Sequence, residues 1–149
     1  MLTFDSNLLI YALDYGEPER QAMAVHVLTR APLVAAFLTQ QVIGEFCNVT
    51  FRKRLLDASS IRSQVEDWAN VYAVVPTRSA QLLEAVELAE RRQKQFWDMV
   101  LVRVAADTGA TALFTEDIGD GEVIDGVHII NPFDPANADR IAALLTPSP

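Results

Sequence analysis

Apolar residues along the chain keep two rhythms. Short β-leaning runs occur at Leu2 to Phe4, Leu33 to Leu38, Val71 to Val75, Thr111 to Phe114 and Val127 to Ile130. Between them, apolar positions recur at helical spacing: Ala22, Val25 and Thr29; Val42, Phe46 and Val49; Ile61, Val65 and Trp68; Leu82, Val86 and Ala89; Leu101, Val104 and Ala105. Thr39 and Ser60 are placed to cap helices, Gly109 to stop one, and Pro76 and Pro132 to close strands. Strands alternating with helices predict an α/β fold, a parallel sheet covered on both faces, because right-handed crossovers return each strand in the same direction. Ligands of such sheets bind beyond the carboxyl ends of the strands, so that edge is where chemistry is expected.

Acidic residues interrupt the pattern there. Asp5 falls at the end of the first strand, where it reads either as a helix cap or, since Ser6 could cap one position later, as a group free to point elsewhere. Glu45 lies on the stripe of Val42 and Val49, and a carboxylate buried there must pair with an arginine, take up a proton or bind metal. Gly44 beside it hints at a close backbone approach. Asp98 opens the helix "FWDMVLVRVAADTG" with Leu101, Val102 and Ala105 on its face, while Arg103 and Asp107 read as a weak exposed pair. In "LFTED", Asp117 follows the fourth strand with Thr115 beside it, Glu116 reads as solvated and Asp120 as a turn residue. Each acid has an ordinary explanation as a cap, an ion pair or a solvated loop residue. Their joint placement on one sheet edge does not. Ionised pairs about 6 Å apart would repel by roughly 3 kcal/mol at an effective dielectric near 20. Protonation or a hard divalent cation such as Mg²⁺ or Mn²⁺ would relieve that repulsion.

Composition narrows the setting. With 149 residues, half of them apolar, the chain is expected to form one domain (1–149), with about 144–149 as a frayed tail. No apolar run is long enough to span a bilayer and the first residues do not resemble a secretory leader, so a cytoplasmic setting is expected. A single cysteine, Cys47, excludes an internal disulfide and a multi-thiolate zinc site. The net charge of -8 argues against a protein that coats nucleic acid electrostatically, though not against nuclease chemistry at a carboxylate site. Basic residues cluster at 52–54 and 91–94, as solvated helix ends or as contacts for RNA phosphates. His26 and His128 read as structural, and the segment Phe51 to Leu56 as core or interface.

Four segments in order, "FDSNLLIYALD", "QQVIGEF", "FWDMVLVRVAADTGATALFTED" and "GVHIINPF", resemble PIN-domain ribonucleases, and more narrowly the VapC-type toxins of bacterial toxin-antitoxin operons. The resemblance implies a PIN-like three-layer sandwich with a five-stranded parallel sheet of order 3-2-1-4-5. It also implies metal-dependent cleavage of RNA by a Mg²⁺- or Mn²⁺-dependent endoribonuclease, a homodimer held inactive by a cognate antitoxin. Asp5, Glu45, Asp98 and Asp117 match the family's acidic positions, with Asn7 and Thr115 at the supporting polar ones. Ser6 stands where the family often has threonine, and Arg103 where small or apolar residues are common. In this reading Asp5, Asp98 and Asp117 hold the metal directly or through water. Glu45 ligates or orients the attacking water, and Asn7 and Thr115 fix carboxylate geometry. A dehalogenase-like phosphatase would need a second Asp where Asn7 stands, and a receiver domain an Asp where Pro76 and Thr77 stand. The remaining alternative is a non-catalytic PIN-fold module that binds RNA or a protein.

Overall fold

The computed structural model describes residues 1–147. In chain order its elements are β1 (Leu2–Phe4), α1 (Ser6–Tyr11), α2 (Pro18–Arg30), a 3-10 turn (Ala31–Leu33), β2 (Phe37–Thr39), α3 (Gln40–Arg52), α4 (Ala58–Val71) and β3 (Ala73–Val75). They continue with α5 (Ser79–Arg92), α6 (Phe96–Thr108), β4 (Ala112–Phe114), β5 (Val123–Ile124), β6 (Val127–Ile130), a second 3-10 turn (Pro135–Asn137) and α7 (Ala138–Leu144).

The strands do not form the single five-stranded parallel sheet expected. One sheet has four strands in the order β1-β4-β6-β5, and β2 and β3 form a separate parallel pair. In the larger sheet β1, β4 and β6 are parallel, and the short β5, absent from the sequence reading, runs antiparallel along β6. The two sheets touch at one bridge, Leu2 to Ala36. The Thr3 hydroxyl donates to the Phe37 carbonyl at 2.8 Å, so a side chain takes an acceptor that a continued ladder would have used. The result is an α/β fold with mixed sheets flanked by helices.

Local chemistry sets the helix ends. The Thr39 hydroxyl accepts from Val42 N at 3.2 Å and starts α3. The cap of α4 is Asp57, which accepts from Ser60 N at 2.7 Å, because Ser60 already lies inside the helix. Gly109 ends α6 at φ 86°, a left-handed conformation that costs any residue with a Cβ. Gly44 marks no close approach: a Cβ built there meets nothing within 4 Å.

Two helix faces differ from the expected stripes. In α2 the buried residues are Ala24 and Val27, while Ala22, Val25 and Thr29 face solvent. Gln81, Ala85 and Leu88 are the buried residues of α5, and Val86 is exposed. Gln81 occupies a core position because its amide is satisfied: Oε1 accepts from Arg78 N at 2.8 Å and Nε2 donates to Asp107 at 3.0 Å. Helix α6 buries Met99, Val100, Leu101, Val102, Val104 and Ala105, so it is covered on several sides and forms the spine behind the sheet. Of the stretch expected as a tail, Leu144 ends α7 and Leu145 is buried, while positions 148–149 lie outside the described residues. Phe51 and Leu55 are exposed and not part of the core. No helix among the described residues is long and apolar enough to cross a membrane.

Candidate functional site

Parallel register brings the first two site residues together. Phe4 pairs with Phe114, so the residues that follow them, Asp5 and Thr115, leave the sheet side by side. Asp5 N donates to the Phe114 carbonyl at 3.0 Å, and the Thr115 hydroxyl donates to Asp5 Oδ2 at 2.7 Å. The other oxygen, Oδ1, accepts from Ser6 N at 2.6 Å, which makes Asp5 the cap of α1. Capping therefore occupies one oxygen of this carboxylate while the other faces Thr115.

Asp5 is only 7% exposed. Burial pushes its carboxyl up to about 6; the hydrogen bonds from Thr115 and Ser6 pull it back, while the nearby charges of Glu45 and Asp117 add to the rise. Asp98, in the first turn of α6, is also raised, by burial first and then by Asp117 and Glu45, with Lys94 pulling it down. Asp5 and Asp98 thus each feel the same two acids, Glu45 and Asp117. Among the described residues no arginine forms an ion pair with Glu45. Its Oε2 accepts from the Ser6 hydroxyl at 2.9 Å and its Oε1 from Gln41 Nε2 at 2.9 Å. Asp117 is exposed; Asn7 Nδ2 donates to it at 3.2 Å, and its own N–H donates to the Thr115 hydroxyl at 3.1 Å. Ser6, Asn7 and Thr115 therefore each touch a carboxylate.

The surrounding frame was not legible in sequence. Glu116, expected to be solvated, is half-buried; the Tyr11 hydroxyl donates to it at 2.8 Å and Arg20 forms an ion pair with it. Arg20 also donates to the Tyr11 hydroxyl at 2.7 Å and its guanidinium lies over the rings of Tyr11 and Phe133. On the other side Lys94 donates to the Ile118 carbonyl at 2.6 Å and to Glu122 at 2.5 Å. Both ends of the segment carrying Asp117 are thereby pinned. Arg103 pairs with Asp107 as expected and also binds Glu84 and Asp125, tying α5 and α6 to the β5–β6 turn. Of the basic clusters, 52–54 is fully exposed, and in 91–94 only Lys94 reaches the site's loop.

Among the described residues, no three His, Cys, Asp or Glu side chains stand together as a ready-made metal cage. The donor chemistry nevertheless fits a hard cation. All the acids offer oxygen, and two further buried oxygens of residues bonded to them, Asn7 Oδ1 and Gln41 Oε1, have no hydrogen-bond partner among the described residues. Acceptors without donors around raised carboxylates suit a hydrated Mg²⁺ or Mn²⁺, which takes one or two direct carboxylates and keeps waters, better than a closed site.

A family model described as the PIN domain matches residues 2–119. The chain is 29% identical over 140 residues to ribonuclease VapC7 of Mycobacterium tuberculosis, covering 87% of this chain and 91% of that protein. Its fold matches a chain of the crystal structure of FitAcB from Neisseria gonorrhoeae with a TM-score of 0.60, covering 89% of this chain and 99% of that one at 16% identity. The segments that carry Asp5, Glu45, Asp98 and Asp117 all fall inside the matched range, and the chain belongs to the PIN-domain family.

Proposed function

We propose that the protein is a metal-dependent endoribonuclease, the toxin of a toxin-antitoxin pair, with its site at Asp5, Glu45, Asp98 and Asp117. The observation that carries this reading is the coupling just described, in which Asp5 and Asp98 are both raised by burial and by Glu45 and Asp117. Such a cluster is costly without a cation, and family membership supplies the chemistry that would justify the cost. A bound Mg²⁺ or Mn²⁺ would lower the pKa of a coordinated water and offset charge on the phosphodiester.

Asp5, Asp98 and Asp117 are the residues to hold the ion, directly or through water. Glu45, with each oxygen already oriented by Ser6 or Gln41, is held to align the attacking water and receive its proton. Thr115 fixes Asp5 and the turn to Asp117; Asn7 fixes Asp117. The reading extends, through kinship with VapC-type proteins, to a homodimer of single PIN domains in the cytoplasm, restrained by an antitoxin.

The protein freed of any inhibitor is expected to cut RNA endonucleolytically with Mg²⁺ or Mn²⁺ and to stop in EDTA. Asp98→Asn should lower the rate by at least about 100-fold, the scale of losing one electrostatic or acid-base group. Absence of any cleavage by the unsubstituted protein would defeat the enzyme reading. The lack of a preformed three-acid cage favours the second reading, a module that binds RNA or protein without cutting, and the same assay separates the two.

A further inference from the structure

Beside the carboxylates lies a cavity of about 550 Å³ lined by Gln40, Gln41, Glu45, Thr77, Leu82 and Trp97. Glu45 belongs to both the cavity and the acidic site, and Trp97 immediately precedes Asp98. Trp97 is 57% exposed, unusual for an indole on a helix whose next turn is fully buried. Its backbone is anchored beside Glu45. Gln41 Nε2 donates to the Trp97 carbonyl at 3.0 Å and to Glu45 Oε1 at 2.9 Å, and Phe96 meets the indole edge-on at 5.1 Å. One amide thus ties the backbone that carries the indole to Glu45.

Charge identifies what the shelf would hold. The chain carries -8, and the two cations beside the site are engaged internally, Arg20 with Glu116 and Lys94 with Glu122. Phosphate attraction is therefore weak here, and a carboxylate at the cavity wall disfavours an anionic occupant. A flat, neutral group with polar edges fits best: its face against the indole and Leu82, its edge toward Gln40 and Thr77.

Resting on the ribonuclease reading, we propose that this cavity is a nucleobase subsite in which a base of single-stranded RNA next to the scissile phosphate stacks on Trp97. Stacking then supplies the substrate affinity that the acidic surface does not.

Two measurements test it. In EDTA, where cleavage is off, the indole emission of the unsubstituted protein is titrated with oligoadenylate and with an abasic ribose-phosphate oligomer of the same length. Oligoadenylate should quench, the abasic oligomer should not, and Trp97→Phe should lose the quench, which separates Trp97 from the buried Trp68. In Mg²⁺ or Mn²⁺, Trp97→Ala should raise KM roughly tenfold, the scale of one base–aromatic stack, and more than it lowers kcat. Trp97→Phe, which keeps a ring, should stay near the unsubstituted KM. Trp97 is at the surface, so melting curves of both variants should overlay the parent's. Equal binding of the base-bearing and abasic oligomers, or an unchanged KM in Trp97→Ala, overturns the subsite and leaves the cavity to a protein side chain. The two readings fail separately. Base-dependent quenching without any cleavage would defeat the nuclease and keep the subsite, whereas cleavage indifferent to Trp97 would do the reverse.

Discussion

At the scale of single residues, burying Asp5 carries a cost to the fold. Its carboxyl is raised from 3.8 to about 6, so the folded chain holds a proton over an interval where the unfolded chain has lost it. Stability due to this group therefore falls as pH rises from the unfolded value through about 6, and the full cost is present above that. The shift corresponds to about 3 kcal/mol at most, at 1.36 kcal/mol per unit. Asp5→Asn keeps an oxygen to cap α1 and cannot ionise. Urea unfolding should find it about 1–3 kcal/mol more stable than the parent at pH 8, the gap closing below about pH 4, while RNA cleavage is lost. A variant less stable than the parent at pH 8 would show that the carboxylate is not a burden. The position of Asp5 at a strand end was readable, because an acid interrupting an apolar run is a visible anomaly. Its dual use was not, since no spacing rule reveals that one oxygen caps while the other meets a hydroxyl 110 positions away.

At the scale of elements, the sequence identified helices more reliably than it oriented them. Val42, Phe46, Ile61 and Trp68 are buried as the stripes of α3 and α4 require. The reading of α2 took the wrong face because Ala22 with Val25 and Ala24 with Val27 carry the same apolar signal at the same spacing. In α5 a satisfied glutamine, Gln81, holds a place that polarity alone assigns to solvent. The two-residue strand β5 and the late helix α7 are too short to give a period. The glycines separate local from tertiary demands. Gly44 lies inside α3 with open space around a built Cβ, so Gly44→Ala should stabilise by about 1 kcal/mol. Gly109 holds φ 86° at the end of α6, so Gly109→Ala should cost about 1 kcal/mol or more, although space is equally open there. Thermal melts of the pair should move in opposite directions; a shared direction would mean that side-chain contacts, not backbone geometry, govern these positions.

For the whole molecule, strand order does what no local feature can. Pairing β1 with β4 places Asp5 beside Thr115, the adjoining loop adds Asp117, and α3 and α6 bring Glu45 and Asp98 into the same field. That Asp5 and Thr115 leave the sheet at the same edge was inferable from the alternation of strands and helices. The split sheet and the ties that hold the Asp117 loop, Arg20 with Tyr11 to Glu116 and Lys94 to Ile118, were not, because they join residues through side chains that no period or motif pairs. If these carboxylates take up a cation, the whole fold should answer to metal. A ligand that binds only the folded state at a concentration 100 times its Kd adds about 2.7 kcal/mol. Saturating Mn²⁺ should therefore raise the melting temperature at pH 8, and EDTA should reverse the rise. The increment should shrink as pH falls through about 6, because Asp5 then holds a proton that competes with the ion. In Asp117→Asn the increment should be smaller at every pH, and in Arg103→Ala, which lies outside the site, it should persist on a lower baseline. If Mn²⁺ leaves the melting curve of the parent unmoved at pH 8, the acids are not a cation site, and their mutual repulsion is a cost the fold bears for some other end.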